Sequence, residues 1–167
     1  MASRQTARDV LIVGLRNAHA MEVQARELME RQSERTDDFP EVKARLLRHL
    51  EETRQQLRRL ERCLRQCGES ESSFKDVALS TLANITAMAH AVAGDEILKN
   101  TFANNAFEHY EIAAYKSLLA LAEQAGIDMT AELQTSLREE EEMAAWIDSH
   151  VKEVTLQYLA NEERAAA

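Results

Sequence analysis

The segment LIVGLRNAHAMEVQARELM at residues 11–29 sets the fold class. Its apolar side chains recur at the a and d positions of a heptad, as expected for one helix of a bundle. Glu22 interrupts this apolar stripe once, near its middle. Three more segments of the chain repeat the pattern of a long apolar stripe with a polar centre. The sequence therefore predicts an all-α protein built from long amphipathic helices.

Composition supports this class and excludes others. The 167 residues include 4 glycines and 1 proline, too few for a β-sandwich or a glycine-rich nucleotide-binding fold. The net charge of −9 argues against nucleic-acid binding. No apolar run approaches the ~18 residues of a membrane span. The longest, residues 10–13, is also too short for a signal peptide, so we expect a cytoplasmic protein that contacts no membrane.

Turn-forming residues divide the chain into five predicted helices within a single domain, residues 1–167. Pro40 fits the first turn of the second helix, whereas Gly68 and Gly126 are stop signals after helix ends. The main helices are predicted at about 6–33, 39–67, 95–125 and 130–160, with a crossover helix at about 74–93. Two hairpins joined by a long crossover between main helices 2 and 3 have the connectivity of a ferritin-like four-helix bundle.

Each main helix carries a residue of a metal-ligating type near the centre of its stripe. They are Glu22, His49 with Glu52, Glu111 and Glu140. A buried lone carboxylate costs several kcal/mol, and four together repel one another unless cations or protons neutralise them. A metal site at the centre of the bundle is therefore one interpretation. The other is that each acid lies at a partly exposed edge of its stripe.

Four segments resemble the bacterial YciF-type ferritin-like proteins. They are MEVQ at 21–24, HLEET at 49–53, EHYEIAAY at 108–115 and LREE at 137–140. The resemblance covers the four main helices and implies a ferritin-like bundle, usually dimeric and associated with stress responses, with a dinuclear metal site and no settled activity. Carried over residue by residue, it implies metal ligands at Glu22, His49, Glu52, Glu111 and Glu140, with Glu108 as a further candidate.

The ligand pattern differs from the usual Glu-x-x-His motif on two helices. Here one motif is reversed, as His49-x-x-Glu52, and Met143 stands where a histidine would follow Glu140. Oxygen-rich ligation suits iron or manganese, and magnesium is still open. With the dinuclear site that the resemblance implies, we expect two metal ions, iron first and manganese as the alternative. His19 lies three residues before Glu22, and Glu108 lies three residues before Glu111. Either residue can therefore supply an extra ligand.

The hairpin turns predict how far apart the candidates lie along the bundle. Glu22 and Glu52 are about equally far from the first turn. Glu111 and Glu140 are offset by about five residues around the second turn, or ~7 Å along the axis. Long side chains and helix tilt must absorb that offset if the two carboxylates are to meet.

Other residues have simpler interpretations. The many arginines of the second helix, Arg45 among them, are predicted to form a solvated or subunit-pairing face. Tyr115 is either a core aromatic residue or a hydrogen-bonding partner of a ligand. Apolar residues surround much of the 74–93 segment, so we expect a homodimer formed through it.

Three functions are compatible with these features. The first is a di-metal carboxylate protein that oxidises Fe(II) or handles O₂ or peroxide. The second is a non-catalytic structural or interaction bundle whose metal site is empty or only stabilising. The third is an iron-storage subunit, although nothing in the sequence predicts assembly of a cage. Whether the protein is an enzyme stays open, because a ferritin-like fold hosts several activities.

Overall fold

The computed structural model describes residues 4–70 and 96–167, which form four helices. They are α1 (Arg4–Ser33), α2 (Pro40–Gln66), α3 (Glu96–Ala125) and α4 (Thr130–Ala165). These described ranges contain no strand, and the predicted all-α four-helix bundle is confirmed. The predicted crossover helix at 74–93, with the dimer interface assigned to it, lies outside the described residues.

The helices form a ring in which α1 packs on α2 and α3, and α4 packs on the same two helices. Arg8, near the start of α1, donates a hydrogen bond to the carbonyl of Cys67, just past the end of α2, at 2.7 Å. Gln32, at the end of α1, bonds Asn104, in the first third of α3. These pairs make α1 antiparallel to both neighbours, so the midpoints of the helices meet at one level.

Two apolar clusters fill the bundle on either side of that level. One includes Leu11, Leu15, Leu60, Tyr115, Leu118 and Leu133. The other includes Ala25, Met29, Leu46, Leu50, Met143 and Ile147. Full burial of one such leucine contributes about 1.5–3 kcal/mol, so these clusters stabilise the bundle. The residues between them along each helix are polar, and that polar layer holds the candidate site.

Glycine ends two of the helices as predicted. Gly68 has a φ of +81° and Gly126 a φ of +68°, in the left-handed region that disfavours other residues. Beyond α2, the amide of Gly68 donates to the carbonyl of Arg65 and that of Glu69 to Leu64, at 2.9 and 3.1 Å. The same pair of bonds closes α3 at Gly126. These bonds satisfy the last carbonyls of each helix and turn the chain.

The two cysteines lie at the end of the bundle where α2 stops. Both are free thiols and both are buried. Burial raises the pKa of Cys63 to about 12, and it also raises the pKa of Cys67. Because the thiolate is the reactive form, neither thiol is activated in the folded chain.

None of the described helices α1 to α4 has an apolar stretch long enough to cross a bilayer.

Candidate metal centre

Five of the six predicted ligands are buried in the polar layer between the apolar clusters. Their exposed fractions are 1% for Glu22, 1% for His49, 4% for Glu108, 1% for Glu111 and 0% for Glu140. One possible ligand atom from each of His49, Glu108, Glu111 and Glu140 lies within 4.8 Å of the others. The offset predicted between Glu111 and Glu140 is therefore bridged by their side chains.

His49 stands at the centre of this group. Its Nε2 lies 3.3 Å from Oε2 of Glu108 and 3.3 Å from Oε2 of Glu140. Burial alone would lower the pKa of His49, but the charge of Glu108 and the hydrogen bonds that His49 donates to three carboxylates raise it well above its usual value. These contacts favour the charged imidazole in the metal-free chain, and that charge partly compensates the acids around it.

Glu52 lies on the other side of the imidazole. Its Oε2 is 2.8 Å from Nδ1 of His49 and accepts a hydrogen bond from Nη1 of Arg45 at 3.1 Å. Arg48 lies 3.4 Å from its other oxygen. Burial alone would raise the pKa of Glu52, but His49 and Arg45 lower it below its usual value. Both oxygens of Glu52 thus contact cationic or donor groups, and Glu52 does not belong to the group of converging ligand atoms.

Glu22 enters the polar layer from α1 and is held by Tyr115. The Tyr115 hydroxyl donates to Oε1 of Glu22 at 2.6 Å. Burial raises the pKa of Glu22 to about 8, although the Tyr115 hydrogen bond and the charge of His49 oppose the shift. Glu22 is therefore protonated over much of the physiological range unless a cation compensates its charge.

Gln56 performs a similar role for Glu140. Its amide Nε2 donates to Oε1 of Glu140 and also to Oε2 of Glu139, the latter at 3.0 Å. Arg59 holds that second carboxylate at 2.6 Å. Burial and neighbouring acids raise the pKa values of Glu140 and Glu111 well above normal. Burial and the neighbouring acids therefore both disfavour the charged forms of Glu140 and Glu111.

Four carboxylate oxygens of this layer accept no well-aligned hydrogen bond from the described residues, and two of them have only the 3.3 Å contact with Nε2 of His49. They are Oε2 of Glu22, Oε2 of Glu108, Oε1 of Glu111 and Oε2 of Glu140. Buried polar atoms are normally bonded, and carboxylate oxygens can only accept when ionised. Unpaired oxygens beside one imidazole are the donor set that iron or manganese prefers. The residues present therefore fit a metal centre.

The structure also distinguishes between the extra candidates. Glu108 lies in the converging group, whereas Nε2 of His19 lies 3.7 Å from Glu61 on the neighbouring helix. Both interpretations of Tyr115 are confirmed, because its ring lies in the apolar cluster and its hydroxyl bonds a candidate ligand.

Two residues of the site, Arg45 and Gln56, were not predicted from the sequence. Arg45 was assigned to a solvated face, but it is only 5% exposed and pairs with Glu52. Its position one turn before His49 was the available signal, because residues four apart share a helix face. Gln56 is a polar residue inside the apolar stripe of α2, which could have marked it as a partner for a buried acid.

Comparison with known proteins agrees with this architecture. Residues 6–160 match a family described as a domain of unknown function, DUF892. This is the YciF-like group of ferritin-like domains, so the resemblance noted in the sequence is confirmed at the level of the family. A crystal structure of a protein from Xanthomonas campestris pv. campestris is 30% identical, with a TM-score of 0.75 over 95% of this chain and 99% of that one.

Proposed function

Because the chain belongs to the DUF892 family of ferritin-like domains, we propose that it is a di-metal carboxylate protein that binds iron or manganese. The observation that carries the proposal is the set of four buried carboxylate oxygens that accept no well-aligned hydrogen bond and lie in the layer around His49. Burying an uncompensated carboxylate costs several kcal/mol, and a bound cation removes that cost. The same oxygens would then act as ligands.

The ligands we assign are His49, Glu108, Glu111 and Glu140, joined by Glu22. Glu52 was expected to be a ligand, and its contacts favour a different role. It is a positioning residue, because it accepts from Nδ1 of His49 and so leaves Nε2 directed at the acids. Carboxylates that orient a ligating histidine in this way are common around metal sites.

Two adjacent iron or manganese ions would supply electron transfer to O₂ or peroxide, with Fe(II) or a small molecule as the reductant. The chain's own contribution is orientation. Tyr115 and Gln56 each hold Oε1 of one carboxylate, which leaves Oε2 of Glu22 and Oε2 of Glu140 available. The apolar clusters above and below exclude water, so charges in the layer interact more strongly than in solvent.

The family resemblance also supports a role in stress responses and a homodimer, and the apolar residues of the 74–93 segment make it the proposed interface. Light scattering on the purified full chain tests the dimer, and a monomer would contradict it. The stress role is tested by comparing peroxide survival of cells with and without the gene.

Metal content per chain tests the metal proposal. Protein purified without chelators should contain about two iron or manganese ions per chain. The His49→Ala/Glu52→Ala double variant should lose them. The His109→Ala/Glu51→Ala double variant is the matched control, since both of its residues are exposed, and it should keep them. Equal metal content in the two variants would overturn the proposal.

The raised pKa values support a second candidate, a non-catalytic bundle. Glu22, Glu111 and Glu140 can all be neutral near pH 7, which allows the chain to fold without metal. In that case the purified protein contains no metal, and its melting temperature is unchanged by a chelator. Stoichiometric metal, with a lower melting temperature after chelation, would exclude this candidate.

A further inference from the structure

A second group of possible metal ligands lies on the surface, away from the polar layer. Glu41 is in the first turn of α2, and His150 and Glu153 are one turn apart on α4. One possible ligand atom from each lies within 4.8 Å of the others. The two helices are antiparallel neighbours, so residues far apart in sequence meet here.

The imidazole of His150 makes its protein contacts through Nδ1. This atom lies 2.7 Å from the backbone carbonyl of Trp146 and 2.9 Å from Oγ of Ser149. Because a carbonyl can only accept, the contact with Trp146 favours the tautomer with the proton on Nδ1 and the lone pair on Nε2. A histidine whose other nitrogen is held by a carbonyl is the usual arrangement of a metal ligand.

The two carboxylates are available as well. Within residues 4–70 and 96–167, no basic side chain lies within ion-pair distance of Glu41 or Glu153. The nearby Arg45 and Arg48 are engaged by Glu52, at 3.1 and 3.4 Å.

A surface cavity opens beside these ligands. Its volume is about 360 Å³, and its lining comprises Glu41, Ala44, Arg45, Arg48, Trp146 and His150. The two arginines in this lining are those that pair with Glu52. That space admits an ion together with its remaining water ligands.

We propose that Glu41, His150 and Glu153 bind one divalent metal ion such as Zn²⁺. Imidazole nitrogen and carboxylate oxygen both bind Zn²⁺, and three protein ligands leave the fourth position to water. The ion clamps the first turn of α2 to α4. This site is independent of the proposed function, because it shares no residue with the polar layer.

Trp146 provides a local probe of this site. It is the only tryptophan of the chain, and its ring stacks on His150 with centroids 4.1 Å apart and an angle of 18° between the planes. Charge placed on the imidazole should change the emission of that indole. Zn²⁺ titrated into the full chain should therefore give a saturable change in tryptophan fluorescence with one site per chain.

Three variants decide the outcome. His150→Gln and Glu153→Gln should each raise the Zn²⁺ dissociation constant by at least about tenfold, because each removes a ligand. His109→Gln, at an exposed histidine of α3, should leave the titration unchanged. The proposal is overturned if wild-type fluorescence does not respond to millimolar Zn²⁺, or if the two ligand variants titrate like His109→Gln.

Discussion

Oε2 of Glu52 lies 2.8 Å from Nδ1 of His49, while Nε2 of the same ring faces Glu108 and Glu140 at 3.3 Å. One imidazole therefore connects the partly exposed carboxylate of Glu52 to the buried acids. Since Nδ1 is occupied by Glu52, Nε2 is the only nitrogen that can bind a metal. Arg45 fixes Glu52 in turn, at 3.1 Å.

Replacing Glu52 with glutamine should weaken the metal site without unfolding the bundle. Glu52→Gln keeps the size of the side chain but removes the charge that orients His49, so the affinity for iron or manganese should fall roughly 10–100-fold. Competition with a coloured chelator measures it. Glu51→Gln is the matched control, because Glu51 is exposed and makes only surface contacts. Equal affinities for the two variants would show that Glu52 has no positioning role.

Replacing Tyr115 with phenylalanine should destabilise the metal-free chain. Tyr115→Phe removes the hydroxyl that donates to Glu22 and leaves a buried acceptor without its partner, which costs about 1–3 kcal/mol. Urea denaturation followed by circular dichroism measures the loss. Tyr110, which is 60% exposed, supplies the control variant Tyr110→Phe. A hydroxyl with no role in stability would give both variants the same midpoint.

The metal-free protein should lose stability as the pH rises. Glu22 has a pKa of about 8 in the folded chain, against 4.5 when unperturbed. The folded state therefore binds this proton more tightly, so its contribution is complete below pH 4.5 and disappears by about pH 8. The slope from one such group is at most about 1.4 kcal/mol per pH unit.

Urea midpoints measured across that pH range on chelator-treated protein test this dependence. Glu22→Gln has no proton to lose, so its stability should fall less between the same pH values. Parallel curves for the wild type and the variant would contradict the assignment of the slope to Glu22.

Gly126 should resist replacement because of its backbone conformation. Its φ of +68° is left-handed, and an alanine there is strained by about 1–2 kcal/mol. Gly126→Ala should therefore lower the free energy of unfolding by that amount, measured by urea denaturation. Gln124→Ala, at an exposed position two residues earlier in α3, should be nearly neutral. A Gly126→Ala variant as stable as Gln124→Ala would show that the turn rearranges.

Most of the fold was predictable because it depends on local periodicity. The stripe from Leu11 to Met29 fixes which face of α1 is buried, and Gly68 and Gly126 fix where α2 and α3 end. The end of α4 was less predictable. It extends to Ala165, beyond the expected residue 160, because no glycine or proline marks a stop.

The site was predictable only in part. Interruptions of the stripes identify Glu22, Glu111 and Glu140, because a buried acid stands out in an apolar series. The partners of those acids depend on helix rotation and on the register between helices that are distant in sequence. Gln56 reaches Glu140 across 84 positions, and no local pattern encodes that pairing.

The labelling rate of the two buried thiols measures how often one end of the bundle opens. Cys63 and Cys67 are 1% and 2% exposed, at the end of the bundle where Gly68 turns the chain. An alkylating reagent can reach them only when that end opens, so the rate of labelling reports the frequency of opening. Mass spectrometry of timed reactions would count zero, one or two adducts per molecule. Local fraying at Cys67 could thus be distinguished from separation of the helices around Cys63.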